Sequence, residues 1–408
     1  MKTNNNIPAY RFQGYTDAWE LRKLGEITEK QFGGGTPTTS NALFWEGNIP
    51  WIQSSDLEEG IFSVGPRKYI TKDGLGNSSA QLIPKNSIAI VTRVGVGKLA
   101  FMPFTYTTSQ DFLSISYLKT NELFTTYSLY IKLQNEIKVL QGTSIKGITK
   151  NELLIKEIPI PSLPEQEAIG TFFSTLDRQI TLHQRKLDTL KEQKKTYLKL
   201  LFPSKGQTKP ALRFQGFEDD WEEVKLGEVL SVSKLKNKEN EYSKLNVLSV
   251  SREQGTVNQI EYQGRSFASD DVSGYKIVNV GQMIYTKSPL KGAPYGIFQT
   301  VTINGIVSPL YAVYNSSGRA LASFVSLILK EDAIATHYLS PLVTKGAKNT
   351  INVTDEGALE GKVKIPTLPE QQAIGTFFQT LDREISQVED KLASLKELKK
   401  TLLRKLFV

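Results

Sequence analysis

Residues 163–202 and 368–407 of this 408-residue chain carry one text twice, LPEQEAIGTFFSTLDRQITLHQRKLDTLKEQKKTYLKLLF and LPEQQAIGTFFQTLDREISQVEDKLASLKELKKTLLRKLF, set 205 positions apart. Aligning 158–203 with 363–408 gives 28 identities in 46 positions. A repeat of this length is not one turn of a solenoid. It marks a duplicated half-protein, in which each half closes on the same long helix. Apolar residues fall at Ile169, Phe173, Leu176, Ile180, Leu187, Leu190, Tyr197 and Leu201, with His183 and Lys194 completing the series. The steps alternate four and three, the heptad rule of a coiled-coil seam. Ile374, Phe378, Leu381, Ile385, Val388, Leu392, Leu395, Lys399, Leu402 and Leu406 repeat it in phase. Ser162-Leu-Pro-Glu165 and Thr367-Leu-Pro-Glu370 predict a capping box at each start, and lysines and arginines crowd the last turns, where cations suit the helix dipole.

The direction of the two helices follows from chain length. Each is about 57 Å long at 1.5 Å per residue. A compact domain of about 160 residues between them has a radius of gyration of only about 15 Å. A parallel pair would force that domain to bridge a whole helix, whereas an antiparallel pair puts its two ends together. The sequence therefore predicts an antiparallel pair with a domain at each tip, a dumbbell of pseudo-twofold symmetry. Lys194 and Lys399 sit on the predicted seam. Buried lysines are costly, so these are expected to snorkel, the alternative being that a polar seam residue sets register. His183, where the copy has Val388, is read as half-exposed with its ring in water.

The rest of the chain repeats at its edges and diverges in between. Ala9-Tyr-Arg11-Phe-Gln-Gly14, Trp19-Glu20 and Lys23-Leu-Gly-Glu26 return as Ala211-Leu-Arg213-Phe-Gln-Gly216, Trp221-Glu222 and Lys225-Leu-Gly-Glu228. Both tryptophans are read as core anchors. The first domain has a glycine-rich turn at 33–37. Its predicted strands are Ile49–Ile52, Ser87–Thr92 and Phe112–Tyr117, with a helix over Thr125–Leu140. The second has predicted strands at Leu245–Val250, Tyr275–Val280, Gln282–Thr286 and Tyr311–Tyr314, with a helix over Ala320–Leu329. Shared edges with unlike middles suit two specificity modules on one frame.

Zero cysteines exclude disulfides and thiolate chemistry on this chain, and two histidines cannot build a histidine-rich metal site. No apolar run reaches a membrane-spanning length and no signal pattern opens the chain, which predicts a cytoplasmic protein with no membrane contact. Gly95-Val-Gly97-Lys98 is not a phosphate loop, because Thr92 and Leu99 stand where glycine and Ser/Thr are required. Glu136-Ile-Lys138 and Glu360-Gly-Lys362 have a nuclease-like form without flanking acids. No catalytic constellation is predicted. The net charge of +8 suits a polyanion. Polar and basic loop residues that could read bases or phosphates are Trp51, Gln53, Ser54, Ser78, Ser79, Arg93, Lys98 and Gln110 in the first domain. In the second they are Arg252, Lys287, Lys291, Asn304, Ser308 and Tyr311.

The paired LPEQ-x-AIGTFF-x-TLDR helices and the W…KLGE lead-ins resemble the specificity subunit of type I restriction–modification enzymes. So do GGTPT…FWEGNIPWIQSSDL, GNSSAQLIPKNSIAIVTRVGVGK and TTSQDF in domain one, and YKIVNVGQMIYTK and INGIVSPLYAVY in domain two. The resemblance implies an α+β chain of two globular α/β target-recognition domains separated by a long antiparallel two-helix coiled coil. Domain one would cover 1–155, spacer helix one 156–203, domain two 204–360 and spacer helix two 361–408. Each domain would read one half of a bipartite, asymmetric site in double-stranded DNA, and the helices would set the gap and dock the modification subunits. Two modification subunits would supply S-adenosylmethionine and adenine methyl transfer. Two restriction subunits would supply the ATP-driven motor and nuclease with magnesium. This chain itself would carry no cofactor and no catalytic residue. The rival readings are a coiled-coil scaffold with protein-binding end domains and a stand-alone enzyme.

Overall fold

The computed structural model describes residues 6–57, 60–62, 64–93, 95–139, 147–252, 254–346 and 351–407. The chain divides into two units, one of residues 1–186 with 388–408 and one of residues 187–387. Each unit holds one end of both long helices.

Unit one opens with β1 (Glu20–Lys23), α1 (Leu24–Ile27), β2 (Thr28–Gly33), β3 (Trp45–Ile52), β4 (Lys68–Ile70) and α2 (Lys72–Gly76). Then come β5 (Ser87–Val91), β6 (Leu99–Met102), β7 (Thr107–Thr108), β8 (Phe112–Leu118), α3 (Glu122–Val139), α4 (Lys150–Leu154), β9 (Glu157–Ile160) and α5 (Leu163–Leu200). A four-stranded antiparallel sheet runs β2-β8-β5-β6, and a smaller one runs β4-β3-β7. β5 is buried along its whole length, which is why Ser-Ile-Ala-Ile-Val reads as a continuous apolar run. Tyr106 is fully buried, with its hydroxyl bonded to Ser87 and Ser114 at 3.0 Å each; burial pushes its pKa up to about 12.

Unit two holds β10 (Glu222–Lys225), α6 (Leu226–Val229), β11 (Ser231–Val232), β12 (Leu248–Ser251), β13 (Gly255–Asn258), α7 (Gln259–Gln263) and β14 (Lys276–Val278). It continues with β15 (Met283–Tyr285), β16 (Phe298–Thr300), β17 (Gly305–Val307), β18 (Ala312–Asn315), α8 (Ala322–Ile328) and α9 (Asp332–Leu339). It closes with β19 (Thr344–Lys345), β20 (Ile351–Asn352), β21 (Lys362–Ile365) and α10 (Leu368–Lys405). Its main sheet runs β11-β18-β15-β16. Two domains whose sequences resist alignment therefore share one sheet order, followed in each by a helix, α3 or α8, that packs on the duplicated frame.

The frame repeats contact by contact. β1 pairs with β9 from Glu20 opposite Ile160, and β10 with β21 from Glu222 opposite Ile365. In unit one Trp19, Phe124, Phe173 and Phe407 form an aromatic cluster, with Phe124 stacked on Phe407 at 5.5 Å. In unit two Trp221, Phe324, Phe378 and Phe202 form the same cluster, with Phe202 stacked on Phe324 at 5.7 Å. Trp19 and Trp221 are 2% and 3% exposed, as core anchors must be. Within unit one the end of α10 thus meets the start of α5, and within unit two the end of α5 meets the start of α10. The helices run antiparallel, as the chain-length argument requires.

Several expectations are corrected. Glu165 and Glu370 do not turn back to cap their helices: both oxygens of each carboxylate accept from an arginine of the lead-in segment, because a buried charge needs a full-strength partner. The seam lysines do not snorkel into water: Lys194 pairs with Asp382 and Lys399 with Asp177. His183 is half-exposed as expected, but its Nδ1 lies 2.8 Å from the Gln179 carbonyl rather than in water. The predicted strand at 245–250 begins only at Leu248, since Ser243 accepts from the Leu245 amide and starts a 3-10 turn over Lys244–Asn246. α3 starts three residues before the predicted Thr125, where Asn121 accepts from the Phe124 amide at 3.0 Å; Leu140, its predicted last residue, lies outside the described residues. α9 was not expected. Among the described residues no helix is long and apolar enough to cross a membrane.

Candidate nucleic-acid interface

The first domain gathers its candidates around the carboxyl end of β3. The glycine-rich loop after β2 is pulled in by a bond from the Gly35 amide to the Thr108 carbonyl at 2.8 Å. There is no room for a side chain at Gly34 or Gly35. A Cβ on Gly34 would lie 1.8 Å from the Ser109 carbonyl oxygen, and one on Gly35 would lie 2.4 Å from Ser79 and Ala80. This approach brings Ser78 and Ser79 beside the loop and lets Thr36 donate to Gln110 at 2.6 Å. Beyond β3, Ser54 and Lys98 flank Gly95 at 4.0 and 3.9 Å from its Cβ position, and Lys98 donates to the Leu57 carbonyl at 3.4 Å. Gln53 and Ser54 are half-buried, while Ser79, Arg93, Lys98 and Gln110 are exposed. Arg93 follows Thr92, whose amide and hydroxyl both donate to the Asp111 carbonyl. The turn before β8 therefore joins the two groups into one polar, basic rim. Trp51 is the exception: it is 4% exposed, stands edge-on to Trp45 and donates its indole N–H to Gly35 at 2.8 Å. It shapes the rim from beneath and offers no face to a ligand.

Gly34→Ala forces the loop off Ser109. The expected cost is about 1–3 kcal/mol, the range for overpacking, with loss of whatever domain one binds and no change at domain two. Thermal unfolding together with binding assays on each half of the target checks this.

The second domain does not gather its candidates. β15 pairs Met283 with Thr300 and Tyr285 with Phe298, so its ends are distinct. Asn304 lies at the Met283 end, where its side chain accepts from the Val280 amide at 2.9 Å. Lys287, Ser308 and Tyr311 lie at the other. Arg252 is half-buried and paired with Asp332 at 2.9 Å. Lys287 adopts a left-handed φ of 50° and pairs with Asp355, which also takes Lys276 at 2.7 Å. Both cations were read as ligand-facing; Lys287, 16% exposed, is held inside the domain by Asp355, while Arg252 stays 36% exposed beside Asp332. Ser308 accepts from the Leu310 amide at 3.3 Å. Tyr311 is half-buried, and burial with Tyr275 nearby pushes its hydroxyl pKa up. Lys291 and Asn304 are the exposed members of the set.

Asp355 carries a pH consequence. Burial pushes its carboxyl up, but hydrogen bonds from Lys276 and Lys287 outweigh this and hold it below the ordinary carboxylate range. A depressed folded-state value gives stability that is complete above the unfolded value near 3.8 and is lost as pH falls through the folded one. Asp355→Asn is expected to remove that part of the acid limb and to cost about 3 kcal/mol at pH 7 by stranding two lysines. Urea melts between pH 2 and 7 measure both.

Sequence reasoning missed what fastens each domain to the helices. Arg11 grips Glu165 with Nε and Nη2 at 2.7 Å each, and Arg213 grips Glu370 at 2.7 and 2.6 Å. The neighbouring glutamines complete the joint. Gln166 donates to Pro161 and accepts from the Asn121 amide, while Gln371 donates to Pro366 and Arg319 and accepts from the Leu321 amide. The signal was present in the sequence, since RFQG and LPEQ recur together, but spacing alone does not pair them. The family profile described as type I restriction modification DNA specificity domain matches residues 16–192 and again 218–397, and so spans both halves of this frame. The chain belongs to that family.

One relative from Methanocaldococcus jannaschii, the type I restriction enzyme MjaIX specificity subunit, is 26% identical over 95% of this chain and 92% of its own length. The EcoR124I/EcoR124II specificity subunit of Escherichia coli is 32% identical over 45% of this chain and 48% of its own. The crystal structure of the type I restriction–modification S subunit from M. genitalium superposes with a TM-score of 0.65 at 17% identity, covering 98% of this chain and 99% of that one. That likeness establishes the fold. The chain is a specificity subunit with two target-recognition domains on an antiparallel helical frame.

Proposed function

We propose that each domain reads one half of a bipartite, asymmetric site in double-stranded DNA, and that α5 and α10 fix the spacer and dock two modification subunits. S-adenosylmethionine is held by those subunits, and ATP and magnesium by two restriction subunits that join for cleavage. This chain contributes recognition and geometry. The observation that carries the reading is the contrast between a frame whose strand pairs, aromatic clusters and arginine–glutamate joints repeat in both units and two recognition domains whose exposed polar residues differ. One frame with unlike recognition domains fits two unlike half-sites. Of the sequence candidates, Ser79, Arg93, Lys98 and Gln110 in domain one and Lys291 and Asn304 in domain two are the exposed groups suited to bases and phosphates.

The test is methylation of a randomised DNA library by this chain with its modification subunits and S-adenosylmethionine. Two short blocks of fixed sequence around an unspecified gap are expected, with affinity falling steeply as salt rises. A single block, or salt-independent binding, overturns the reading and favours a protein-binding scaffold. Methyl transfer or cleavage by the chain alone with magnesium and S-adenosylmethionine favours a stand-alone enzyme.

A further inference from the structure

We infer that the duplicated pairs Lys194–Asp382 and Lys399–Asp177 are a register lock, which selects one antiparallel alignment of α5 and α10 over alignments one heptad away. The inference deepens the ruler reading above and rests on it only for its consequence, that the lock sets spacer length.

A heptad seam is degenerate by construction. Sliding one helix by seven residues returns seam positions opposite seam positions, so the heptad spacing by itself does not choose between the alignments. Polar seam residues do. In unit one Asp177 takes Lys399 across the helix pair, and in unit two Asp382 takes Lys194. Asp177 precedes Lys194 by 17 residues and Asp382 precedes Lys399 by 17, so both pairs demand the same alignment. The unit-one pair is the more buried: Lys399 and Asp177 are 16% and 12% exposed, against 21% and 44% for Lys194 and Asp382. Asp177 also accepts from the Tyr127 hydroxyl of α3 at 2.6 Å, which ties the lock to the recognition domain.

The slipped alignments show which residue decides. A heptad in one direction brings Asp177 opposite Leu406 and Asp382 opposite Leu201. A heptad in the other brings them opposite Leu392 and Leu187. All four leucines are buried. The lysines discriminate less, since the first slip sets Lys194 opposite Glu389. The aspartates lose their cation either way and meet hydrocarbon, which is the costly arrangement.

The chain has no cysteine, so introduced thiols report alone. Thr189→Cys with Ser386→Cys puts two exposed positions of unit two under spin labels. A heptad slip moves one label along the other by about 10 Å, which pulsed dipolar spectroscopy resolves. The parent is expected to give one distance. Neutralising the lock (Lys194→Met, Lys399→Met, Asp177→Asn, Asp382→Asn) is expected to add a second population. Reversing it (Lys194→Asp, Lys399→Asp, Asp177→Lys, Asp382→Lys) is expected to restore the single parental distance. A single parental distance in the neutral chain overturns the lock. Should the neutral chain fail to fold, the reversed chain decides, and a split or shifted distance there overturns it. No DNA enters this readout, so failure of the ruler appears in spacer substrates while the label distances stand.

Discussion

Glu370→Ala is expected to lower the stability of unit two by about 3–5 kcal/mol, the cost of stranding one member of a buried ion pair. For a unit of about 200 residues that corresponds to roughly 10 °C in Tm. The carboxylate is 1% exposed and Arg213 is 14% exposed, so solvent cannot rescue the abandoned guanidinium. Both oxygens are in use, which makes the pair bidentate and charge-assisted. Glu370→Gln keeps one acceptor and should recover part of the loss. Arg213→Met with Glu370→Leu removes both charges and should cost much less than either single change. Glu165→Ala should match Glu370→Ala in unit one, because Arg11 and Glu165 repeat the geometry with 12% and 1% exposure. A loss below 1 kcal/mol, the value of a surface pair, would show that the joint does not hold the domain. Denaturant melts followed by tryptophan fluorescence give the numbers, with Trp221 reporting unit two and Trp19, Trp45 and Trp51 reporting unit one.

The long helices, their direction and the duplication were legible in the sequence because heptad spacing and chain length act over many residues at once. The seam lysines were legible as anomalies, but their partners were not, since Asp177 and Asp382 sit one residue off the apolar series. The capping-box reading failed for a related reason. Ser-x-x-Glu is a local pattern, and Arg11, 154 positions away, outcompetes the local amide. Trp51 and Lys287 carry the chemistry of ligand contacts and spend it internally, and Arg252 shares its charge with Asp332. Residue type alone does not say whether a carbonyl such as that of Gly35, or a carboxylate such as Asp332 or Asp355, lies within reach. The common sheet order of the two domains was invisible, because short strands such as β11 and β15 leave too few residues to show alternation.

Inserting one base pair into the gap of the DNA target should lower the methylation rate by more than 100-fold. One turn of the duplex is about 10–10.5 bp and 34–36 Å, so one extra pair moves the second half-site by roughly 3.4 Å and 34°. Hydrogen bonds to base edges tolerate only a few tenths of an ångström around 2.7–3.2 Å. With domain one engaged, domain two would face the wrong edges at several positions, each worth about 1–3 kcal/mol. An insertion of ten pairs restores the rotation but not the distance and should remain as inactive as one. Rates within twofold of the parent after a one-pair insertion would mean that the helices do not act as a ruler.

The placement of Phe407 has a consequence for how the protein is made. Residues 187–387 supply every part of unit two, and the ribosome delivers them before residue 388. Unit one is different: Trp19, Phe124 and Phe173 pack on a phenylalanine that is translated about 230 residues after the last of them. The half that emerges first is therefore the half completed last. Until residues 388–407 arrive, Trp19, Phe124 and Phe173 lack the Phe407 ring that closes their cluster.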